Sequence, residues 1–535
     1  MQCVRCRPVA PWVLDEEMLL TDVATAADSD RITGEILKIA GVVVLGAVMS
    51  ILDITVVNVA LPTFQTTFGS AGHPLAYSTV AWTVTGYTLA LATVIPVTGW
   101  AADRFGTKRL YMTALALFTA GSALCSVASS ISMLIGFRVL QGLGGGMLMP
   151  LGMMIITRAA GPRRMGRLMA ILGVPMLLGP IGGPILGGWL IDSASWHWIF
   201  LINVPIGVIA LVYALAALPK DSPRPSESFD FLGVLMMSPG LALFLYGVSS
   251  IPAEGTVGTP KVLVPALIGL ALVVTFVLYS FKPKHPLLDL RLFRNRDLAV
   301  SIVTMFLFAV AFFGGLLLVP TYFQQIRGES VLRAGLLVAP QGIGAMLTMP
   351  LAGTLSDKFP VGRIVPFGLV FIAAGMAGLT QISSTTSYPV LLGLLFIMGL
   401  GMGATMMPIM TSALKTLRRA EVARGSTLLN INQQIAASIG VAIMSVILTN
   451  GLKDATLAYP AIAARHNPQI AAQIGGEAGI KEGLSQAAGA FAHTYWVAFA
   501  LVGVTIVAAL FLPRRREESQ LRGDDKSEAV PVSVH

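Results

Sequence analysis

Charged residues are scarce in this chain of 535 residues: Asp, Glu, Lys and Arg make up 12%, about half the share in soluble domains. Hydrophobic residues make up 55%, and the mean hydropathy is +0.77. This composition excludes a soluble globular protein and a disordered one. We therefore expect an all-α polytopic membrane protein.

Cysteines and the common nucleotide and metal motifs are also scarce. Cys3 and Cys6 form a C-x-x-C with no second ligand pair, and Cys125 lies in an apolar run. No Gly-Lys dipeptide occurs, so the phosphate-binding loop that direct ATP drive requires is absent. No H-E-x-x-H motif occurs either. We expect no metal, no cofactor and no enzymatic activity.

Long apolar runs are abundant, and each is long enough to cross the hydrocarbon core as a helix of about 20 residues. We count fourteen runs, near 39–62, 80–101, 110–128, 133–157, 168–191, 198–218, 232–251, 262–281, 299–321, 334–355, 364–382, 389–412, 427–449 and 493–512.

The basic residues follow these runs. With the N-terminus inside, 29 of the 36 Lys and Arg residues fall in cytoplasmic segments, six in outer loops and one, Arg138, within a span. This is the positive-inside distribution, and an even span count predicts that both termini are cytoplasmic. It also gives the net charge of +9 a place on one membrane face, without nucleic acid as a partner.

An internal repeat divides the chain into two six-span halves. The loop Gly99–Arg109 after span two resembles Gly353–Arg363 after span ten, at an offset of 254. Gly142–Pro150 in span four resembles Gly399–Pro408 in span twelve, at an offset of 257 to 258. Eight spans separate the copies, so two extra spans lie between the halves. Transporters are often built from such repeats, with the substrate site between the halves.

Five motifs, in the expected order, resemble those of the fourteen-span drug:proton antiporters of the major facilitator superfamily, over about residues 39–515. They are Leu52–Pro62, Gly99–Arg109, Arg138–Gly144, Gly173–Gly188 and Trp196–Pro205. The resemblance implies a major facilitator fold with two six-helix bundles. We expect a tail (1–38), one bundle (39–218), a linker with the two extra spans (219–297), a second bundle (298–513, with an outer loop 450–492) and a second tail (514–535).

Two charged side chains fall within the predicted hydrocarbon region, Asp53 and Arg138. Such residues are costly in lipid and are functional candidates by default. At the equivalent positions the second half has Leu307 and Leu395. Both charges map to the outer half of the membrane, where they could meet across the central cavity. We predict that Asp53 carries the proton and that Arg138 tunes it, because burial and a nearby guanidinium act in opposite directions on carboxylate ionisation.

The resemblance assigns two further sets of residues. The cytoplasmic gate would consist of Gly99, Asp103, Arg104, Gly106, Arg109, Asp357, Lys358 and Arg363. The antiporter motif of span five, a packed and bendable helix that limits proton leak, would consist of Gly173, Gly179, Pro180, Gly182, Gly183, Pro184 and Gly187.

The cargo is the least determined property. Polar and adaptable side chains within spans suggest a substrate cavity formed by Asn58, Gln141, Phe312, Gln325, Gln341, Met406, Asn430 and Gln434. One buried acid suits lipophilic monocations or neutral amphiphiles, exported in exchange for protons. An exporter of a lipid, siderophore or metabolite with the same fold is the alternative, and a channel or a membrane-embedded enzyme is less consistent with the motifs. We expect a monomer in the inner membrane of a bacterium, with a periplasmic adaptor as an open alternative.

Overall fold

The structure is a computed structural model that describes residues 33–69, 75, 77–221, 229–254, 256–283, 286–418, 421–465 and 468–515. Several side chains inside these ranges lie outside the description, among them those of residues 160–163, 172, 174–178, 180–181 and 184. All regular structure in the described ranges is helical.

Seventeen α-helices and one 3-10 helix follow one another along the described chain. They are α1 Gly34–Thr67, α2 Tyr77–Phe105, α3 Thr107–Ser126, α4 Ile131–Ser193, α5 Trp198–Leu201, α6 Asn203–Ala217, α7 Phe231–Glu254, α8 Pro260–Tyr279, the 3-10 helix Leu290–Arg294, α9 Arg296–Gln325, α10 Val331–Lys358, α11 Val361–Leu379, α12 Tyr388–Gly403, α13 Met406–Lys415, α14 Val422–Asp454, α15 Ala458–Ala464, α16 Pro468–Gln473 and α17 Gly476–Ala509.

Twelve helical segments of the described residues are long and apolar enough to cross a membrane. The sequence predicted fourteen, and each predicted run is helical over most of its length, although 198–218 and 389–412 each divide between two helices. The two runs outside the twelve are 110–128, on α3, and 168–191, in the second part of α4. The first of these helices begins with Thr107, Lys108 and Arg109, and the second contains residues whose side chains are not described.

Helix α4 has 63 residues, which would span about 95 Å if it were straight, three times the hydrocarbon thickness. Its contacts with α1 show that it doubles back. Between Arg138 and Gly152, the partner residues on α1 run from Asp53 down to Val43. Between Gly179 and Gly183, the partners instead run upward, from Ile51 to Thr55. The two parts of α4 therefore lie antiparallel to each other, like two separate spans.

The predicted repeat is present in the packing. Gly142 lies against the backbone of Tyr87 in the N-terminal half (residues 34–217), and Gly399 lies against the backbone of Gln341 in the C-terminal half (residues 296–509). These pairs are related by offsets of 257 and 254, the offsets found in the sequence.

The two halves meet along two equivalent helix pairs. Gly99 of α2 lies against Ala423 of α14, and Gly353 of α10 lies against Gly166 of α4. Gly99 and Gly353 are 254 positions apart, and Gly166 and Ala423 are 257 positions apart, so the offsets of the sequence repeat also relate these two contacts. Backbone approach at glycine therefore closes this end of the molecule, which is the predicted cytoplasmic end.

The two extra helices, α7 and α8, form a hairpin beside this interface. Gly240 of α7 and Gly269 of α8 bring their backbones into direct contact. Apolar side chains of α7, α2 and α14 form one cluster that includes Leu241, Ile95 and Ile431. Helix α7 therefore packs on both halves along one seam.

The predicted tails and outer loop are only partly described. Residues 1–32 and 516–535 lie outside the description, and α1 begins at Gly34, inside the predicted tail. The predicted outer loop 450–492 contains the end of α14, the short helices α15 and α16, and the start of α17. Arg465, next to α15, donates a hydrogen bond to Ile326 O at 2.5 Å and so fastens this segment to the end of α9.

Candidate functional site

The centre of the N-terminal half contains a buried ion pair. Asp53 of α1 and Arg138 of α4 approach to 2.5 Å between Oδ2 and Nη1, and neither side chain is exposed. Removing one charge from such a pair leaves the other uncompensated in a medium of low dielectric constant, which is strongly unfavourable. The two members therefore depend on each other.

Two side-chain amides complete the hydrogen bonding of the carboxylate. Gln141 Nε2 donates to Asp53 Oδ1 at 2.8 Å, and Asn203 Nδ2 donates to the same oxygen at 3.2 Å. Gln141 Oε1 in turn accepts a hydrogen bond from Arg138 Nη1 at 2.8 Å. Three side-chain N–H donors therefore converge on the two oxygens of Asp53 in this conformation.

Surrounding groups hold the pair in orientation. Arg138 Nε donates to Thr83 O at 3.0 Å, and the guanidinium lies 4.1 Å from the centre of the Tyr87 ring. Ser122 Oγ accepts hydrogen bonds from the amides of Gln141 and Asn203, both at 3.2 Å.

The sequence paired Asp53 and Arg138, and the structure brings them together. It does not place them across the central cavity, however. Their partners come from α1, α2, α3, α4 and α6, so the pair lies inside the N-terminal bundle. The reason is that the face of α4 with Arg138 packs against α1 and α2, where Thr83 and Asp53 supply its acceptors.

The predicted gate residues Asp103 and Asp357 form two charge clusters at the closed end. Asp103 pairs with Arg158 of its own half at 3.2 Å, and it attracts Arg424 at the start of α14 in the other half. Both helices that meet here, α2 and α14, also touch at Gly99.

The second cluster repeats this arrangement. Asp357 pairs with Lys415 of its own half at 3.2 Å and lies 3.6 Å from Arg167 Nε of the other half. It also accepts a hydrogen bond from the backbone N–H of Gly166 at 2.9 Å. Arg158 and Lys415, like Arg167 and Arg424, are 257 positions apart. Asp357 thus pairs with a base of its own half and an arginine of the opposite half, and Asp103 pairs with Arg158 and attracts Arg424.

The remaining gate candidates have varied positions. Gly106 has a φ of 94°, a left-handed conformation that favours glycine, and it ends the turn between α2 and α3. Arg109 contributes its backbone N–H to Asp221 Oδ2 at 3.0 Å. Arg104, Lys358 and Arg363 are exposed.

The glycines of the predicted antiporter motif do not share one neighbour. Gly173 faces Met349 of the C-terminal half. Gly179, Gly183 and Gly187 face Ile51, Thr55 and Val56 of α1, respectively, and Gly182 lies in ordinary contact distance of Leu52. Pro180 and Pro184 lie in the helical backbone of α4, but their side chains are outside the described ones.

The predicted cavity residues are spread over several environments. Gln141 belongs to the ion-pair network, where its amide binds Asp53 and Arg138. Asn58 is exposed, while Phe312, Met406 and Gln341 are buried. The other three, Gln325, Asn430 and Gln434, are half-buried.

Several residues of these sites were not predicted from the sequence. Asn203 lies within the motif Trp196–Pro205, and its amide binds Asp53. Asp221 accepts the backbone N–H groups of Lys108 and Arg109 and so caps α3 from a distant segment. The repeat offset of 257 was a usable signal for the four bases of the charge clusters, Arg158, Arg167, Lys415 and Arg424.

Two helical repeats that meet along equivalent helix pairs, with a buried ion pair in one of them, define a membrane transporter built by duplication. Comparison with known proteins agrees. Residues 43–441 match the model of the Major Facilitator Superfamily, and the chain belongs to this family. It is accordingly a multi-pass membrane transporter and not an enzyme.

Among similar proteins is the "Multidrug resistance protein B homolog" of Mycobacterium tuberculosis (strain ATCC 25618 / H37Rv), 47% identical over 500 residues, which cover 91% of this chain and 92% of that protein. The "Uncharacterized MFS-type transporter YhcA" of Bacillus subtilis (strain 168) is 33% identical over 410 residues, 76% of each chain.

Solved structures show the same fold at low identity. The human organic anion transporter MFSD10 gives a TM-score of 0.58 at 15% identity, covering 88% of this chain and 100% of that one. The proton:xylose symporter XylE, bound to 6-bromo-6-deoxy-D-glucose, gives 0.57 at 16% identity, covering 92% and 99%.

Proposed function

We propose that this protein is a proton-coupled multidrug exporter of the bacterial inner membrane. It exchanges lipophilic monocations or neutral amphiphiles for protons by alternating access. The observation that carries the proposal is the buried pair of Asp53 and Arg138, a titratable acid inside the bundle of a transporter.

The pair has the properties of a proton carrier. Arg138, Gln141 and Asn203 all donate hydrogen bonds to Asp53 in this conformation. A rearrangement that withdraws even one donor favours the neutral acid, because burial penalises the charged form. Motion of α1 against α4 would therefore load a proton in one state and release it in another.

The charge clusters at Asp103 and Asp357 supply the switching element. Asp357 with Arg167, and Asp103 with Arg424, relate the two halves at the predicted cytoplasmic end, and closure on this side is what an outward-facing state requires. Opening to the cytoplasm requires both clusters to break, and the energy of one proton moving inward, about 2.3 kcal/mol per 100 mV, is of a suitable size.

Fourteen spans with cytoplasmic termini belong to the same proposal. Helix α3 has 20 residues, enough for one crossing, and the reversal of α4 makes two crossings of that helix. The positive-inside distribution supports the orientation. Helices α7 and α8 then form the extra pair of spans between the halves.

Drug-like cargo is supported by the name of the multidrug relative that is 47% identical over most of both chains. Buried methionines such as Met398, Met402 and Met406 would let a binding region adapt to varied apolar compounds. An exporter of a lipid, siderophore or metabolite remains the alternative. We propose that a monomer is sufficient for transport, and a periplasmic adaptor would be an additional partner.

Accumulation of ethidium in a host lacking its own exporters tests this function. Cells that express the protein should accumulate less dye than cells with an empty vector, and an uncoupler should abolish the difference. Reduced accumulation that persists after the proton gradient is dissipated would contradict proton coupling. Equal accumulation of ethidium and of several antibiotics with and without the protein would favour the lipid or metabolite alternative.

A further inference from the structure

The side chain of Gln341 has an unusual environment. It is 3% exposed, and both its Oε1 and its Nε2 are buried without a hydrogen bond. Among the described residues it is the one side chain with two such atoms. Buried amides in native proteins are nearly always paired, so an unpaired amide calls for an explanation.

The position of Gln341 in the internal repeat suggests an explanation for the unpaired amide. Gln341 is the counterpart of Tyr87, since each lies with its backbone against the equivalent glycine, Gly399 or Gly142. Tyr87 packs under the guanidinium of Arg138 at the centre of the N-terminal half. Gln341 therefore lies at the centre of the C-terminal half. Its position is equivalent to that of Tyr87, which contacts the proton site of the N-terminal half.

The other members of the proton site have become apolar in the C-terminal half. At the offset of 257, Arg138 corresponds to Leu395 and Gln141 to Met398, and at 254, Ser122 corresponds to Met376. All three are at most 2% exposed. The C-terminal half thus has no charge at these equivalent positions, and one amide, that of Gln341, stands in place of Tyr87.

We infer that Gln341 is the hydrogen-bonding group of a cargo site in the C-terminal half, which takes the amino, hydroxyl or carbonyl group of an otherwise apolar compound. This inference rests on the proposed function, export of lipophilic cargo. An amide offers two donors and one acceptor and no charge, so it recognises a polar group without selecting against a cation. Met376 and Met398, at the positions equivalent to Ser122 and Gln141, would adjust to the apolar remainder of the cargo.

The two halves of the transporter then have different tasks. The N-terminal centre binds the proton at Asp53, and the C-terminal centre binds cargo at Gln341. The two centres are equivalent in the internal repeat. They have diverged, so that the N-terminal centre is charged and the C-terminal centre has an unpaired amide.

Two monocations distinguish the role of the amide. Ethidium carries two aryl amino groups, while tetraphenylphosphonium has no hydrogen-bonding group. We expect Gln341→Leu to weaken ethidium binding to the purified full chain by about 3- to 10-fold and to leave tetraphenylphosphonium binding unchanged. The same variant should melt about 1–3 °C higher in the absence of cargo, because an unpaired amide has been removed.

Gln381→Leu, the same substitution at an exposed glutamine in the turn after α11, is the control and should change neither affinity. A lower melting temperature for Gln341→Leu would overturn the inference, because the amide would then be paired within the protein. Equal weakening of both cations, or of neither, would also overturn it while leaving the proposed function intact. If the wild type binds and moves neither cation, the proposed function fails and this inference fails with it.

Discussion

Asp53 Oδ2 and Arg138 Nη1 lie 2.5 Å apart, in side chains that have no exposed surface and that stand 85 positions apart in the chain. The amides of Gln141 and Asn203 occupy the other carboxylate oxygen. At the centre of the C-terminal half, Leu395 replaces the arginine. One half of a duplicated molecule has therefore acquired a titratable centre that the other lacks.

A double substitution tests whether the pair is there for stability. Arg138→Leu alone should destabilise the protein by about 3–5 kcal/mol, because it leaves a buried carboxylate unpaired. Combined with Asp53→Leu, it should recover most of that loss, since apolar replacements of buried pairs are often neutral. Thermal unfolding in detergent measures both. The double variant should be folded yet unable to couple transport to protons, and coupled transport by it would show that the pair is merely structural.

Asn203 should support proton coupling by holding the carboxylate in place. Asn203→Leu removes one N–H donor from Asp53 Oδ1. The rate of proton-coupled ethidium transport should therefore fall by about 3- to 10-fold, which corresponds to the loss of one hydrogen bond. Asn450→Leu, at an exposed position near the end of α14, serves as the control. An unchanged rate for Asn203→Leu would mean that this amide only fills space.

The two charge clusters should contribute similarly to closure of the predicted cytoplasmic end. We expect Asp103→Asn to favour opening by about 1 kcal/mol, or about fivefold, because this cluster is partly exposed and screened. Asp357→Asn should favour opening by at least as much, because Asp357 and Lys415 are less exposed. The reporter is Thr427→Cys, next to Gly99, in a chain whose native cysteines are replaced. Its labelling by an impermeant maleimide in inside-out vesicles should rise in both variants. A rise in one variant alone would contradict the equivalence of the clusters.

Neighbouring glycines of α4 should differ in their tolerance of a side chain. A Cβ at Gly183 would lie 2.1 Å from Thr55 Oγ1, whereas a Cβ at Gly182 would lie 3.5 Å from Leu52 Cδ2. Gly183→Ala should therefore cost about 1–3 kcal/mol of stability and slow exchange. Gly182→Ala is the matched control and should behave like the wild type. The rate of ethidium efflux from preloaded vesicles compares them, and equal rates would mean that α1 can shift to accommodate Gly183→Ala.

The sequence predicted the helical class, the repeat and the meeting of Asp53 with Arg138, because composition, periodicity and intramembrane charge are local signals. It did not predict which helices surround the pair. The second part of α4 faces α1 through Gly179 and Gly183, and only the packed bundle shows this direction. The sequence did not place Gln141 in the ion-pair network either, because neighbours on other helices determine its hydrogen bonds.

Equivalence between the halves was a stronger guide than the polarity of single residues. Arg167 and Arg424 could have been paired with Asp357 and Asp103 from the offset alone. Asp221 could not, because it caps α3 from a segment with no counterpart in the motif. Asn203 lies in a recognised motif, but only the structure shows that its amide reaches a carboxylate 150 positions away.

Proton flux in proteoliposomes containing the Asp53→Asn variant tests the central claim most directly. Asparagine keeps the size of the side chain and cannot carry a proton at this position. With an imposed pH gradient and ethidium as cargo, the wild type should release protons as it moves dye, whereas the variant should bind dye and remain folded without moving protons. Coupled proton movement by Asp53→Asn at the wild-type rate would contradict the account.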